Sequence, residues 1–258
     1  MTLKTLDYFF KRRDIERRDA AEVRWSHAVN SRSSLTEALK GPTHMLEADV
    51  IMRGRDPREP IMAHPPDTDS DITLREFLEA VKKHDKGIKL DFKSLEPLSP
   101  SMLLLQEALS GTGHPVWMNA DILSGPGGRA TPLQPQVFLS AVRYLPTHTV
   151  LSLGWTTGWT AGTENPGYSW EMVHEMEDIC KTLEHPVTFP VRAALMAQSV
   201  PQLTWLLQQS DSYSLTVWTG QDDKFVLEDL QLFRKQFDIS RIYFDLPEPQ
   251  RAELIITE

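Results

Sequence analysis

A (β/α)8 barrel is the fold class that the sequence predicts, on three observations. Short β-type runs alternate with helical patterns along the chain, a length of 258 residues suits one such barrel, and no Gly-rich turn follows the first run. The β-type runs are Val23–Ala28, His44–Ile51, Gly87–Phe92, Pro115–Ile122, Thr149–Gly154, Val187–Val191, Tyr213–Thr219 and Arg241–Leu246. Helical periodicity follows at about Ser33–Leu39, Thr73–His84, Pro100–Leu109, Pro135–Tyr144, Tyr168–Leu183, Ala193–Gln209 and Lys224–Phe237. Thr73 with Glu76 three residues on is a capping box, and Pro100 and Pro135 suit a first helical turn. The competing arrangement is a doubly wound open sheet, which usually carries G-x-G-x-x-G after its first strand. Here that place reads His27-Ala-Val-Asn30. The expected organisation is a single domain over 1–258: an N-terminal helical segment 1–22, the barrel 23–246 and a C-terminal segment 247–258.

Composition removes several function classes. At 40% hydrophobic the chain can bury a sizeable core, yet no stretch reaches the roughly 20 apolar residues of a membrane span, so no integral membrane segment is expected. The 36 acidic against 27 basic side chains leave a net charge of -9, which repels nucleic acid. The basic cluster Lys11-Arg12-Arg13 is followed by Asp14 and Glu16 and reads as a solvated helix face. One Cys, no Asn-Xaa-Ser/Thr acceptor and no signal-peptide pattern predict a cytoplasmic protein, expected to be a monomer. Cys180, beside Ile179 and Leu183 in a helical pattern, reads as core.

Strand parity locates the polar chemistry. Leu46, Ala48 and Val50 form one face of the second run, and Glu47 and Asp49 the other. In the third, Ile88, Leu90 and Phe92 oppose Lys89, Asp91 and Lys93. The apolar set must pack on helices, so the charged set points into the barrel near its C-terminal mouth. Glu47, Asp49 and Asp91 would repel one another unless a hard cation such as Mg2+ or Ca2+ sits among them, or unless Lys89 and Lys93 neutralise them in a salt-bridge network. His27 ends the first strand and His64 lies in the loop region after the second. Either is a hydrogen-bonded structural residue, or the two form an acid/base pair beside the carboxylates. The remaining histidines fall before strands or within helices and read as structural.

In order and spacing, His27, Glu47-Ala-Asp49, His64 and Asp91-Phe-Lys93 resemble the active-site series of glycerophosphodiester phosphodiesterases and the wider phospholipase-C-like TIM barrels. More closely, Trp25-Ser-His-Ala-Val-Asn30, Leu46-Glu-Ala-Asp-Val50, Ala63-His-Pro-Pro66 and Lys89-Leu-Asp-Phe-Lys93 are similar to the menorin family. The resemblance implies metal ligands at Glu47, Asp49 and Asp91, an acid/base pair at His27 and His64, and a phosphate-side cation at Lys93. It also implies cleavage of a phosphodiester with an adjacent hydroxyl assisting and a divalent ion stabilising charge. Three departures stand out: Ala28 where the enzymes commonly have Arg, Pro65 where they have Asp, and Asp91 where Glu is more usual.

Later strands add candidates for the mouth. Asn119 and Asp121 share a face on the fourth run, Arg192 lies just past the sixth, and Trp218 ends the seventh; Asn119, Arg192 and Trp218 are read as substrate-binding. For Arg192 an outer salt bridge is an equal alternative. Trp155 and Trp159 could line a wall for an apolar ligand or simply pack. Ser124-Gly-Pro-Gly-Gly-Arg129 lacks the Gly-Lys-Ser/Thr of a P-loop and reads mainly as a flexible connection. The expected function is a divalent-metal-dependent phosphodiesterase-like enzyme acting on a small-molecule or lipid-derived phosphodiester. The alternative is a catalytically weak or inactive barrel that binds a ligand or a protein segment.

Overall fold

The structure is a computed structural model and describes residues 4–255. In chain order its elements are α1 (Lys4–Arg12), β1 (Trp25–Ser26), α2 (Arg32–Lys40), β2 (Met45–Met52), β3 (Pro60–Met62), α3 (Leu74–Val81), β4 (Gly87–Phe92), α4 (Leu98–Leu109) and β5 (Val116–Ser124). Then follow α5 (Pro135–Val142), β6 (Val150–Thr156), α6 (Trp170–Cys180), β7 (Val187–Arg192), α7 (Val200–Gln208), β8 (Tyr213–Trp218), α8 (Leu227–Arg234), β9 (Ile242–Asp245) and α9 (Glu248–Ala252). The sheet order is β1-β2-β4-β5-β6-β7-β8-β9, with β3 added on β2. Neighbouring strands in sequential order, separated by helices, are the topology of a (β/α)8 barrel. Residues 1–3 and 256–258 of the expected terminal segments lie outside the described residues. Among the described residues no helix is long and apolar enough to cross a membrane.

The chain divides into two compact units. One comprises Arg24–Ala120 and Leu133–Val150. Within it β1, β2, β4 and the first part of β5 pair in parallel, and β3 runs antiparallel to β2. The hairpin was not expected from the sequence. Pro60-Ile-Met is too short for a clear period, and it forms because Ile61 and Ala63 cluster with Ile51. The expected parity holds: Leu46, Ala48 and Val50 are fully buried, while the opposite face carries Glu47 and Asp49, buried as well. The Thr73 capping box is present, with Thr73 accepting from Glu76 N. Pro135 stands at the start of α5, whereas α4 begins at Leu98, two residues before Pro100.

β1 is shorter than the run Val23–Ala28. On its N-terminal side, Ala20–Glu22 form a 3-10 turn capped by the Asp19 side chain, which accepts from Ala21 N. On the other side, Ala28 takes a left-handed φ of 54° and leaves the strand.

The second unit comprises residues 4–23, 121–132 and 151–255. Its β6, β7, β8 and β9 are parallel in sequence order. The helical pattern from Ala193 splits into a 3-10 turn, Ala193–Leu195, and α7, which has a proline in its first turn. The Arg234 guanidinium is buried against Asp19 and donates to Leu254 O, tying the two ends of this unit together. Cys180 is buried, and desolvation pushes its thiol well above the usual range, which fits a core role.

Candidate active site

The site grows from one register. Parallel pairing sets Glu47 beside Lys89 and Lys89 beside Trp117, and one layer further sets Asp49 beside Asp91 and Asp91 beside Asn119. Because a parallel sheet keeps side chains of paired residues on the same face, the two layers bring the acids together. One carboxylate oxygen from each of Glu47, Asp49 and Asp91 lies within 4.8 Å of the others. Glu47 is 3% exposed and Asp49 4%. Like charges so close in a desolvated place raise the energy of the ionised forms. Burial pushes the Glu47 carboxyl up to about 7, opposed by His27 and assisted by the charges of Asp49 and Asp91.

Lys93 bridges two of the acids. Its Nζ lies 2.5 Å from Asp91 Oδ2 and 3.2 Å from Asp49 Oδ1. Burial alone would favour the neutral amine, but Asp91 and Asp49 outweigh it and hold the ammonium well above its ordinary range. Burial likewise pushes Asp91 upward, and there the Lys93 charge and the Lys93 and Asn119 hydrogen bonds win, keeping the carboxylate ionised below its usual range. The lysine is therefore protonated, and it already places a cation between two carboxylates. The donor set of three hard oxygens fits a divalent ion such as Mg2+ or Ca2+, with Glu47, Asp49 and Asp91 as the residues that could hold it.

Both candidate histidines belong to the unit that carries the acids. His27 follows β1, has its side chain 57% exposed, and sets Nδ1 3.4 Å from Glu47 Oε2. His64 follows β3, and the β2–β3 hairpin returns it to the end of the acid-bearing strand: Ala63 N donates to Asp49 O at 3.1 Å. Its ring is exposed, with Nδ1 2.6 Å from Pro65 O.

Other site residues behave differently from one another. Asn119, expected at the substrate, donates from Nδ2 to Asp91 Oδ1 at 2.7 Å. In the second unit Arg192 and Trp218 are register partners at the ends of β7 and β8. The guanidinium stacks 5.2 Å from the Trp218 ring and forms two hydrogen bonds to Asp223, at 2.7 and 2.6 Å. The salt-bridge alternative for Arg192 is thus the observed arrangement, with Asp223 supplied by the loop after β8. Trp155 is buried against Tyr168 and Phe189, so it is packing. The Gly-rich loop is closely packed: a Cβ at Gly125 would come within 2.5 Å of the Trp155 Cβ, and one at Gly128 within 2.4 Å of Thr156 O. Its glycines serve close backbone approach.

Two groups escaped the sequence reading. Asn30 donates from Nδ2 to Asp49 Oδ2 at 2.7 Å and accepts from Asp49 N at 2.9 Å. Ala28 N donates to Glu47 Oε2 at 2.8 Å. Asn30 closes the Trp25–Asn30 motif, but nothing in that motif assigns its side chain to Asp49; a backbone N–H has no sequence signature.

The class is that of the TIM barrels: the chain superposes on a crystal structure of a glycerophosphoryl diester phosphodiesterase from Parabacteroides distasonis with a TM-score of 0.51, covering 90% of this chain and 82% of that one. At 13% identity this likeness speaks for the fold. The family is nearer. The Menorin N-terminal domain description matches residues 19–251, and human Protein FAM151B is 50% identical over 250 residues, 96% of this chain and 91% of that protein. The chain belongs to the menorin family.

Proposed function

We propose that the protein is a divalent-metal-dependent enzyme that cleaves small or lipid-derived phosphodiesters, as a phosphoric diester hydrolase or phosphorus–oxygen lyase. The observation that carries this reading is the convergence of Glu47, Asp49 and Asp91 within 4.8 Å, with His27 set against Glu47. A bound divalent ion supplies compensation for the negative charge that builds on the phosphoryl oxygens. Glu47 orients the His27 ring through Nδ1, which assigns proton exchange to Nε2. His27 and His64 act as a pair. One accepts the proton of a hydroxyl on the substrate as that oxygen bonds to phosphorus. The other protonates the departing alkoxide as its P–O bond breaks, giving a cyclic phosphate and an alcohol. Lys93 adds positive charge on the phosphate side, and Asn119 holds Asp91.

A second reading, a barrel that binds without turnover, draws on Lys93 itself: an ammonium bridging Asp49 and Asp91 can close the acid cluster as a structural network. The two separate in one experiment. Calorimetric titration with Mg2+ and Ca2+, run beside product analysis on glycerophosphodiesters, should show millimolar or tighter metal binding and chelator-sensitive release of alcohol. Metal binding without product over long incubation would favour the module; no heat with either ion would remove the metal site.

A further inference from the structure

Each of the three acids turns one oxygen to a neutral N–H donor. Glu47 Oε2 accepts from Ala28 N at 2.8 Å, Asp49 Oδ2 from Asn30 Nδ2 at 2.7 Å, and Asp91 Oδ1 from Asn119 Nδ2 at 2.7 Å. The opposite oxygens of the two aspartates, Oδ1 of Asp49 and Oδ2 of Asp91, converge on the Lys93 ammonium. The carboxylates are therefore split: an amide grips one oxygen, and a shared cation meets the other. The Asn30 amide has one orientation only. Asp49 N can do nothing but donate, so Oδ1 of Asn30 must face it and Nδ2 must face the carboxylate. The Asn30 backbone is anchored in turn by Ser70 Oγ, which donates to the main-chain carbonyl of Asn30 at 3.1 Å. Ala28 delivers its N–H from a left-handed backbone, φ 54°, a conformation that a residue with a Cβ adopts only where its surroundings enforce it.

We infer that Asn30 and Asn119 are positioning residues that keep Asp49 and Asp91 as one-oxygen metal ligands and so discriminate between small and large divalent cations. This rests on the metal site proposed above. Mg2+ takes a tight octahedral shell with one oxygen from each carboxylate, whereas Ca2+ accepts six to eight oxygens and readily binds a carboxylate through both. An amide bonded to the second oxygen opposes the two-oxygen mode and preserves the first. Both amides are neutral, so their removal changes geometry without changing the charge of the site.

The test titrates Mg2+ and, separately, Ca2+ into chelator-stripped wild type, Asn30→Ala and Asn119→Ala, with the metal-free melting curve of each as the check on folding. Each variant should lose about 10- to 100-fold in Mg2+ affinity, the range for groups that orient a metal ligand. Ca2+ affinity should fall by a smaller factor or rise, so the Mg2+/Ca2+ ratio drops. Where an Ala variant does not fold, Asn30→Ser or Asn119→Ser, which is too short to make the same hydrogen bond, is read the same way. Equal weakening of both ions, or unchanged affinities, would overturn the positioning role while leaving the metal site standing. A wild type that binds neither ion would overturn the metal site, and this inference with it.

Discussion

Two strand-end clusters of charge, one in each compact unit, show opposite electrostatic designs. On β7 and β8, Arg192 meets Asp223 through two hydrogen bonds and stacks on Trp218, so a single cation faces a single anion. On β2 and β4, three carboxylates face Lys89 and Lys93, and the charge does not close. A closed pair satisfies its own desolvation, whereas an open excess of buried negative charge is stable only if protons, a cation or a ligand complete it. The open cluster is the one that the proposed chemistry requires, and the arginine pair holds the loop after β8. Four measurements can break or sharpen the contrast.

The largest effect is expected at the histidines. His27→Ala and His64→Ala should each lower turnover of a phosphodiester by about two to four orders of magnitude, the usual contribution of a general acid or base. The double variant should cost little more than the worse single one, because the pair acts as a unit. Steady-state rates with ligand binding measured alongside would check this; unchanged rates with lost binding would make the histidines recognition groups.

Neutralising one acid in each cluster should move stability in opposite directions. Asp223→Asn strands a largely buried guanidinium and should destabilise the fold by roughly 3 kcal/mol, as breaking a buried pair does. Glu47→Gln removes a carboxylate whose ionisation is opposed by burial and by two neighbouring acids, so at pH 8 the metal-free variant should melt at or above the wild-type temperature while losing divalent-ion affinity. Thermal melts with and without Mg2+ read both.

Lys93→Met removes the cation that shares Asp49 and Asp91 with any metal. Divalent-ion affinity should then rise a few-fold while affinity for inorganic phosphate falls. A variant with lower metal affinity and a collapsed melting transition would mark Lys93 as part of the fold.

The smallest effect is the pH dependence of the metal-free protein. Glu47 ionises near 7 when folded against about 4.5 ordinarily, so the folded state holds this proton more tightly than the unfolded one. Its contribution to stability is therefore greatest below about 4.5 and is lost as pH rises through 7. Between pH 8 and 6 the difference in melting temperature between wild type and Glu47→Gln should shrink. Mg2+ affinity should weaken over the same interval, because proton and metal compete for one carboxylate.

Much of this protein was legible in its sequence. Alternation of Leu46, Ala48 and Val50 with Glu47 and Asp49 set the two faces of a strand, since a pleated strand has period two wherever it lies. The succession of such strands and helices in order predicted the barrel, and the short motifs around His27, Glu47, Asp91 and Lys93 pointed to the family. What tertiary structure alone decided is where each polar group finds its partner. The parallel register set Asp49, Asp91 and Asn119 side by side. The β2–β3 hairpin, invisible in a three-residue run, brought His64 back to the acid-bearing strand. Long-range folding joined Arg192 to Asp223, 31 positions away, and Asn30 to Asp49, 19 away. Periodicity is a property of neighbours along the chain and is written there; hydrogen-bond pairing of buried charge is a property of neighbours in space, and only the folded chain determines it.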